Sequence, residues 1–180
     1  STSVLNLEVS DTGSSIVREY WNGVSGTTVA TIPTSTTPTG TENLTLLQAT
    51  TDFGDNYGAR IRGYITAPTT GNYYFWIAAS NAAELWISND AEPVNKVRRA
   101  TVTGPAGTAP RTWNEQANQK SQWLSLIAGK KYYLEALHNT GSSGSSSHLS
   151  VAWFLDPTGN TVNPVANGCP PAPAAVGGII

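Results

Sequence analysis

The feature that most constrains the fold is a series of short, strand-like segments separated by turn residues. Residues 59–66 alternate apolar and polar side chains, as a half-buried strand does. Residues 73–78 are rich in aromatic side chains and follow a turn that contains Pro and Gly, so we expect the two segments to form a hairpin. Further strands are predicted at 84–88, 96–102, 122–127, 132–138 and 149–154. Because no crossover helix is visible, the pattern predicts an all-β, antiparallel sandwich or barrel.

The composition excludes several classes of partner. Charged residues make up 12% of the chain, about half the usual share, and the net charge of −2 offers no attraction for nucleic acid. No run of about 18 apolar residues exists, so we expect no membrane insertion. The chain starts at Ser1 without Met, which we interpret as a signal peptide removed or a trimmed chain, and the single Cys169 cannot form an internal disulfide. We therefore expect a secreted or cell-surface protein.

The domain organisation follows from length and from the C-terminal composition. A chain of 180 residues fits one domain, which we place at 1–165, with a Pro- and Gly-containing tail at 166–180. The Thr- and Pro-rich stretch 31–42 is interpreted as a long surface connection. An apolar tail segment can add to the edge of a sheet, either on its own domain or on a neighbouring subunit. The predicted self-association residues are Val176, Ile179 and Ile180.

Motifs for catalysis and for metal binding are missing from the sequence. We find no nucleophile elbow, phosphate-binding loop or zinc signature. His138 and His148 flank a Gly/Ser loop but have no third ligand at suitable spacing. Glu84 and Glu135 fall in predicted strands, where we expect them on the solvent face or paired with Arg60, Arg62 or Lys131. The sequence therefore favours binding or assembly over enzymatic activity.

An ordered series of short segments carries a family resemblance. The segments are EYW at 19–21, GDNYGARIRGYI at 54–65, PTTGNYYF at 68–75, AELWIS at 83–88, AGKKYYLEA at 128–136 and LSVAW at 149–153. In order and spacing, over about residues 15–165, they resemble the protective-antigen-like (PA fourteen) domain family, named after the anthrax toxin component. The resemblance implies an antiparallel β-sandwich with long polar loops, an extracellular setting and, as in many relatives, carbohydrate binding.

The resemblance also points to one position in the chain. In calcium-dependent lectins of the family, two adjacent Asp residues joined by a cis peptide precede the Leu-Trp-Ile strand and hold the ion. Here the matching residues are Ser80 and Asn81, which supply oxygens but no charge. Calcium requires six to eight oxygens, with carboxylate charge among them, so we expect calcium binding to be weak or absent, and no other cofactor is predicted. By resemblance, the loop 139–147 contributes ligands beside this position, and Asn139 is its best oxygen ligand.

Two further places are candidates for contact with a sugar. Asp55 and Asn56 lie in a polar loop that forms either part of a ligand rim or a self-capped turn. Trp113 lies in a loop beside an amide and a carboxylate, where an exposed indole can stack on a sugar ring. Trp76, Trp86 and Trp153 lie within strands and are predicted to be core.

Two functions remain open on the sequence alone. The first is an extracellular carbohydrate-binding or adhesion module that binds a glycan or cell-surface polysaccharide, with weak or lost calcium dependence. The alternative is a structural subunit of a surface layer or extracellular filament that assembles through its C-terminal tail.

Overall fold

The computed structural model describes residues 16–142 and 147–156, which contain nine strands in two antiparallel sheets. The strands are β1 (Ile16–Asn22), β2 (Gly40–Leu44), β3 (Tyr57–Thr66), β4 (Gly71–Ala79), β5 (Ala82–Ser88), β6 (Lys96–Val102), β7 (Leu124–Leu126), β8 (Lys131–Asn139) and β9 (Leu149–Asp156). Three short 3-10 helices lie at Val29–Thr31, Pro93–Asn95 and Ala117–Gln119. The predicted all-β, antiparallel sandwich is confirmed.

The two sheets enclose one main apolar core. The first sheet has the strand order β2-β1-β3-β8-β5-β6 and the second has the order β7-β4-β9. In β3 the alternation predicted from sequence is realised, because Ile61 and Ile65 are buried in the core while Arg60 and Arg62 lie on the opposite face. The central strand β4 is buried along residues 73–79, as its continuous apolar sequence indicates.

The predicted hairpin between the first two segments is wrong. β3 pairs with β1 and β8, whereas β4 pairs with β7 and β9 in the other sheet. The turn between β3 and β4 is bonded to the turn that precedes β8. The Ala67 amide donates to the Lys130 carbonyl, and the Gly129 amide donates to the Ala67 carbonyl. Alternation and turn residues identify strands, but they do not specify which strand lies alongside.

The N-terminal half contains elements that the sequence did not predict. β1 and β2 pair with each other, and β2 begins at Gly40, inside the stretch expected to be a surface connection. In contrast, the strand predicted at 122–127 shortens to Leu124–Leu126. No helix in the described ranges is long and apolar enough to cross a bilayer. The proposed division at residue 165 and the tail residues Val176, Ile179 and Ile180 lie outside the described residues, so self-association through the tail stays a prediction.

The outer face of the six-stranded sheet carries charges that pair across strands. The ion pairs are Glu19 with Arg60 and Arg62, Glu135 with Lys96, and Glu84 with Arg98. The sequence placed Glu84 and Glu135 on the solvent face or in pairs with Arg60, Arg62 or Lys131. Both lie on the outer face of the sheet, and the structure pairs them with Arg98 and Lys96 of β6. The reason is the strand order, which places β6 beside β5 at the edge of the sheet.

One cation lies inside the sandwich. The Arg18 side chain has no exposed surface, and its guanidinium lies 4.0 Å from the centre of the Phe53 ring and 5.3 Å from that of Tyr57. It forms an ion pair with Glu42 on the neighbouring strand β2. A buried charge is tolerated only when it is paired, so Arg18 needs Glu42, and this ion pair joins β1 and β2 in addition to their backbone ladder.

Candidate functional site

Ser80 and Asn81, the positions indicated by the family resemblance, form the connection between β4 and β5. They therefore join the two sheets. Asn81 has a φ of +61°, a left-handed conformation that Asn adopts more readily than most residues. Both residues are buried, with 7% and 4% of their surface exposed. Within the described ranges no peptide bond is cis, so the connection differs from the paired-Asp geometry that the resemblance implies.

Two histidines hold this connection in place. The His138 Nε2 atom lies 2.6 Å from the Ser80 carbonyl, and the Ser80 hydroxyl accepts a hydrogen bond from the His148 amide at 3.1 Å. Burial lowers the pKa of His138 to about 4 and also lowers the pKa of His148. Both rings are therefore neutral at pH 7, and each Nε2 faces a backbone carbonyl, that of Ser80 or of Thr108. Their role here is structural support of the Ser80 connection.

Asn139 is also used inside the protein. Its side chain is completely buried, and its Nδ2 atom donates to the Thr28 carbonyl at 2.9 Å and to the Thr31 hydroxyl at 2.7 Å. Its Oδ1 atom accepts from the Gly141 amide at 2.8 Å. Asn81 is engaged in the same way, because its Nδ2 atom donates to the Thr140 carbonyl. The structure thus brings Asn81 and Asn139 to the same end of the sandwich, but as ties between loops.

The loop that contains Gly107 and Thr108 packs against the Ser80–Asn81 connection. The Thr108 amide donates to the Ala79 carbonyl at 2.8 Å. Next to it, Gly107 lies so close to the Ser80–Asn81 connection that a Cβ atom at Gly107 would be 2.2 Å from the backbone nitrogen of Asn81 and 2.4 Å from the carbonyl oxygen of Ala79. Only glycine allows this contact, and its φ of +61° is a second reason for glycine at this position. The loop therefore covers the position that the sequence resemblance relates to the calcium site of the family's lectins.

The residues at this position do not fit a calcium ion. Ser80, Asn81 and Asn139 carry no charge, and their side chains are buried and bonded to protein groups. Calcium requires several unengaged oxygens and enough carboxylate charge to offset the loss of its hydration shell. Across the described residues, no group of three or more His, Cys, Asp or Glu side chains is arranged to hold a metal. We therefore assign no calcium-dependent step to this position.

The other candidates from the sequence divide between surface and core. Asp55 and Asn56 are exposed, and Asn56 has a φ of +52° within a turn whose backbone bonds Val24 and Gly141. The turn is therefore held by backbone bonds to other loops, and both the self-capped turn and the ligand rim stay predictions. Trp113 is only 4% exposed and belongs to the main core, so the prediction that its indole is exposed for sugar stacking is wrong.

An open pocket lies beside the closed position, along the start of β5 and the end of β6. It has a volume of about 300 Å³. We call it the β5–β6 pocket, and it is lined by Thr27, Thr28, Val29, Ala82, Ala83, Glu84, Arg98, Thr101, Val102, Thr103, Gly104 and Asn118. Sequence reasoning missed it because its residues come from four separated segments. The one local signal was the consecutive pair Arg98 and Arg99 in a predicted strand, because strict alternation would place only one of them on the polar face.

The side chains of the β5–β6 pocket form a preorganised polar set. Both carboxylate oxygens of Glu84 are engaged, one by the Arg98 guanidinium at 2.8 Å and the other by the Trp86 indole nitrogen at 3.0 Å. Glu84 is 17% exposed and Arg98 is 54% exposed, so each keeps a solvent-facing edge. Carboxylate, guanidinium, amide and hydroxyl groups in one cavity can donate and accept hydrogen bonds in several directions.

The fold and this arrangement define an all-β, two-sheet sandwich with an open pocket of mixed polar and apolar lining at one sheet edge. Residues 11–165 match the family described as the PA14 domain. The chain belongs to the PA14 domain family, as the sequence resemblance predicted.

Known relatives share parts of the chain. Dog fibrocystin is 39% identical over 92 residues, which is 47% of this chain and 2% of that protein. Mouse N-acetyl-beta-glucosaminyl-glycoprotein 4-beta-N-acetylgalactosaminyltransferase 1 is 36% identical over 100 residues, or 54% of this chain and 10% of the enzyme. The chain thus spans a small part of each of these relatives.

Among solved structures, the Epithelial Adhesin 9 A domain of Candida glabrata, in complex with Galβ1-4GlcNAc, superposes with a TM-score of 0.57. The sequences are 12% identical, and the match covers 84% of this chain and 87% of the adhesin domain. At this identity the likeness establishes a shared fold.

Proposed function

We propose that this domain is an extracellular carbohydrate-binding module, on a secreted or cell-surface protein, and that the β5–β6 pocket holds the saccharide. Membership of the PA14 family and the shared fold with an adhesin domain solved with a disaccharide support this proposal. The observation that carries it is the fixed Glu84 carboxylate, bonded at both oxygens and still partly exposed at the mouth of the pocket.

The geometry of Glu84 suits a sugar hydroxyl. A carboxylate already oriented by two donors loses little freedom when it accepts a third hydrogen bond, so less of the binding free energy is lost to ordering. Arg98 retains further N–H donors beyond the one that contacts Glu84. Neighbouring hydroxyl and amide groups come from Thr28, Thr103 and Asn118. Together they offer both donors and acceptors to the hydroxyl groups of a sugar.

The same pocket supports binding rather than catalysis. Glycoside hydrolysis requires two carboxyl groups on opposite sides of the scissile bond. Among the described residues that line the pocket, Glu84 is the only acid. Because the position used for calcium in the family's lectins is closed here, the proposed binding is also independent of calcium.

The test compares two variants in which a single glutamate is replaced by uncharged glutamine of similar size. We would screen the full chain on a glycan array, then measure the affinity for the best neutral glycan by calorimetry, with calcium and with EDTA. Glu84→Gln should weaken this affinity about tenfold or more, since hydrogen bonds to charged groups are the strong ones. Glu92→Gln makes the same change on the exposed 89–95 loop, outside the pocket, and should leave the affinity unchanged.

The outcomes separate the function from the site. Absence of binding to every glycan, in both buffers, would overturn carbohydrate binding. Equal affinities for the two variants and the unmodified chain would overturn the β5–β6 pocket as its location. An affinity that EDTA abolishes would contradict calcium independence.

A further inference from the structure

A β-bulge in β6 brings two consecutive arginines to one cavity. Leu85 pairs with Ala100 and Trp86 pairs with Arg98, so Arg99 is an extra residue on the edge strand. In a regular strand consecutive side chains point to opposite faces, and a bulge re-aims them. Here both arginines line a second cavity of about 300 Å³, which we call the β6-edge cavity. The bulge thus places a second arginine, Arg99, beside Arg98, which is paired with Glu84.

The charged side chains that line the β6-edge cavity are all cationic, and one of them, Arg98, is paired with Glu84. Lys120 adds a third cation from the segment that follows the last 3-10 helix. The remaining polar lining is neutral and consists of Thr101, Asn118 and Gln122. No carboxylate is found among the described residues that line it. This concentration of positive charge contrasts with the net charge of −2 of the whole chain.

The three cations differ in their local partners, because Arg98 forms an ion pair with Glu84 at 2.8 Å, whereas Arg99 donates to neutral groups. The Arg99 Nη2 atom donates to the Asn89 side-chain oxygen at 2.7 Å. The Lys120 ammonium lies 4.5 Å from the centre of the Tyr74 ring and 5.5 Å from that of Trp76. Burial lowers the pKa of both Arg99 and Lys120, which means that their charged forms are incompletely solvated. An anion in the cavity would offset that loss of solvation.

We propose that the β6-edge cavity binds an anionic substituent, a carboxylate or a sulfate ester, carried by an acidic glycan. Arginine matches the planar geometry of such groups through paired N–H donors, and lysine adds a point charge. The cavity shares Arg98, Thr101 and Asn118 with the β5–β6 pocket, so one oligosaccharide can occupy both. The glycan as carrier rests on the function proposed above, whereas the anion site rests on the cavity alone.

The experiment compares acidic and neutral oligosaccharides with the full chain by calorimetry. The probes are an oligogalacturonate for the carboxylate, a sulfated maltooligosaccharide for the sulfate ester, and a neutral maltooligosaccharide of the same length. We expect one of the acidic probes to bind about tenfold or more tightly than the neutral one. This preference should shrink as NaCl is added, because salt screens charges.

Variants locate the effect. Arg99→Gln should remove the preference for the acidic probe and leave the affinity for the neutral one unchanged. Arg111→Gln is the matched control, since Arg111 is exposed, contacts Gln48 and does not line the cavity. Lys120→Gln serves as a second cavity variant, with thermal melts to verify that each protein is folded. If the cavity variants and the control show the same preference, the anion site is overturned.

Two further measurements distinguish this inference from the proposed function. A titration with sodium sulfate, followed by NMR at the side-chain amides of Asn118 and Gln122, should give saturable shifts that Arg99→Gln removes. If sulfate gives these shifts but no sugar binds, carbohydrate binding fails and the anion site stands; if sulfate gives none, the anion site fails. If neutral sugars bind and acidic ones bind no tighter, only the present inference fails. A thymidine oligonucleotide of equal charge that binds as tightly as the acidic sugar would also overturn it.

Discussion

Lowering the pH below 6.5 should destabilise this domain through His138. The ring is fully buried, and its Nε2 atom lies 2.6 Å from the Ser80 carbonyl. Burial is the largest cause of its low pKa of about 4, and the nearby His148 and Arg18 oppose protonation further. The neutral ring supports the connection between the two sheets, so its protonation bears directly on the fold.

The sign and magnitude follow from the two pKa values. The ring has a pKa near 6.5 in the unfolded chain and about 4 in the folded protein. Between these values the unfolded chain binds a proton that the folded protein does not, so the free energy of unfolding falls as the pH decreases. A pKa difference of about 2.5 corresponds to about 3 kcal/mol, since each pKa unit is worth about 1.4 kcal/mol. The loss begins near pH 6.5 and is complete near pH 4.

Urea unfolding between pH 7 and pH 4 tests this reasoning. His138→Gln retains an N–H donor for the Ser80 carbonyl but does not titrate in this range. The stability difference between the wild type and this variant should therefore shrink by about 3 kcal/mol across the range. His148→Gln is the matched control and should give a smaller change, because the lowering of the pKa of His148 by burial is opposed by the nearby Glu115 and Asp52 carboxylates, which favour its protonated form. A constant difference between wild type and His138→Gln, or an NMR titration of His138 with an ordinary midpoint, would refute the argument.

Three further predictions concern the closed position and the core. Gly107→Ala should lower the free energy of unfolding by more than about 3 kcal/mol, because the new Cβ would lie 2.2 Å from the Asn81 backbone nitrogen. The control Gly104→Ala has open space around it and should lower the free energy of unfolding by only about 1 kcal/mol, for its positive φ. Similar losses in the two variants would contradict the close approach of Gly107. Millimolar calcium should leave the Tm unchanged, and a rise that EDTA reverses would show a site on the folded state. Trp76→Ala should cost about 3–5 kcal/mol by urea unfolding, whereas Trp123→Ala, at a residue 39% exposed, should cost clearly less, and equal costs would contradict the assignment of the core.

The sequence by itself determined the strands and the family. Alternation over 59–66 and the apolar run at 73–78 mark segments that are strands in the structure, because the two faces of a strand alternate with a period of two wherever it is placed. The order of motifs identified the PA14 family. The replacement of paired acids by Ser80 and Asn81 was also visible, and it argues against calcium on charge alone.

Only the tertiary structure decided which strands pair and which side chains remain open to solvent. β4 lies in a different sheet from β3, Trp113 is in the core, and a covering loop closes the Ser80 connection. The β6-edge cavity depends on a bulge opposite β5 and on Lys120, about twenty residues further along the chain. Each of these features arises from contacts between segments far apart in sequence, and local alternation and turn propensity carry no information about such partners.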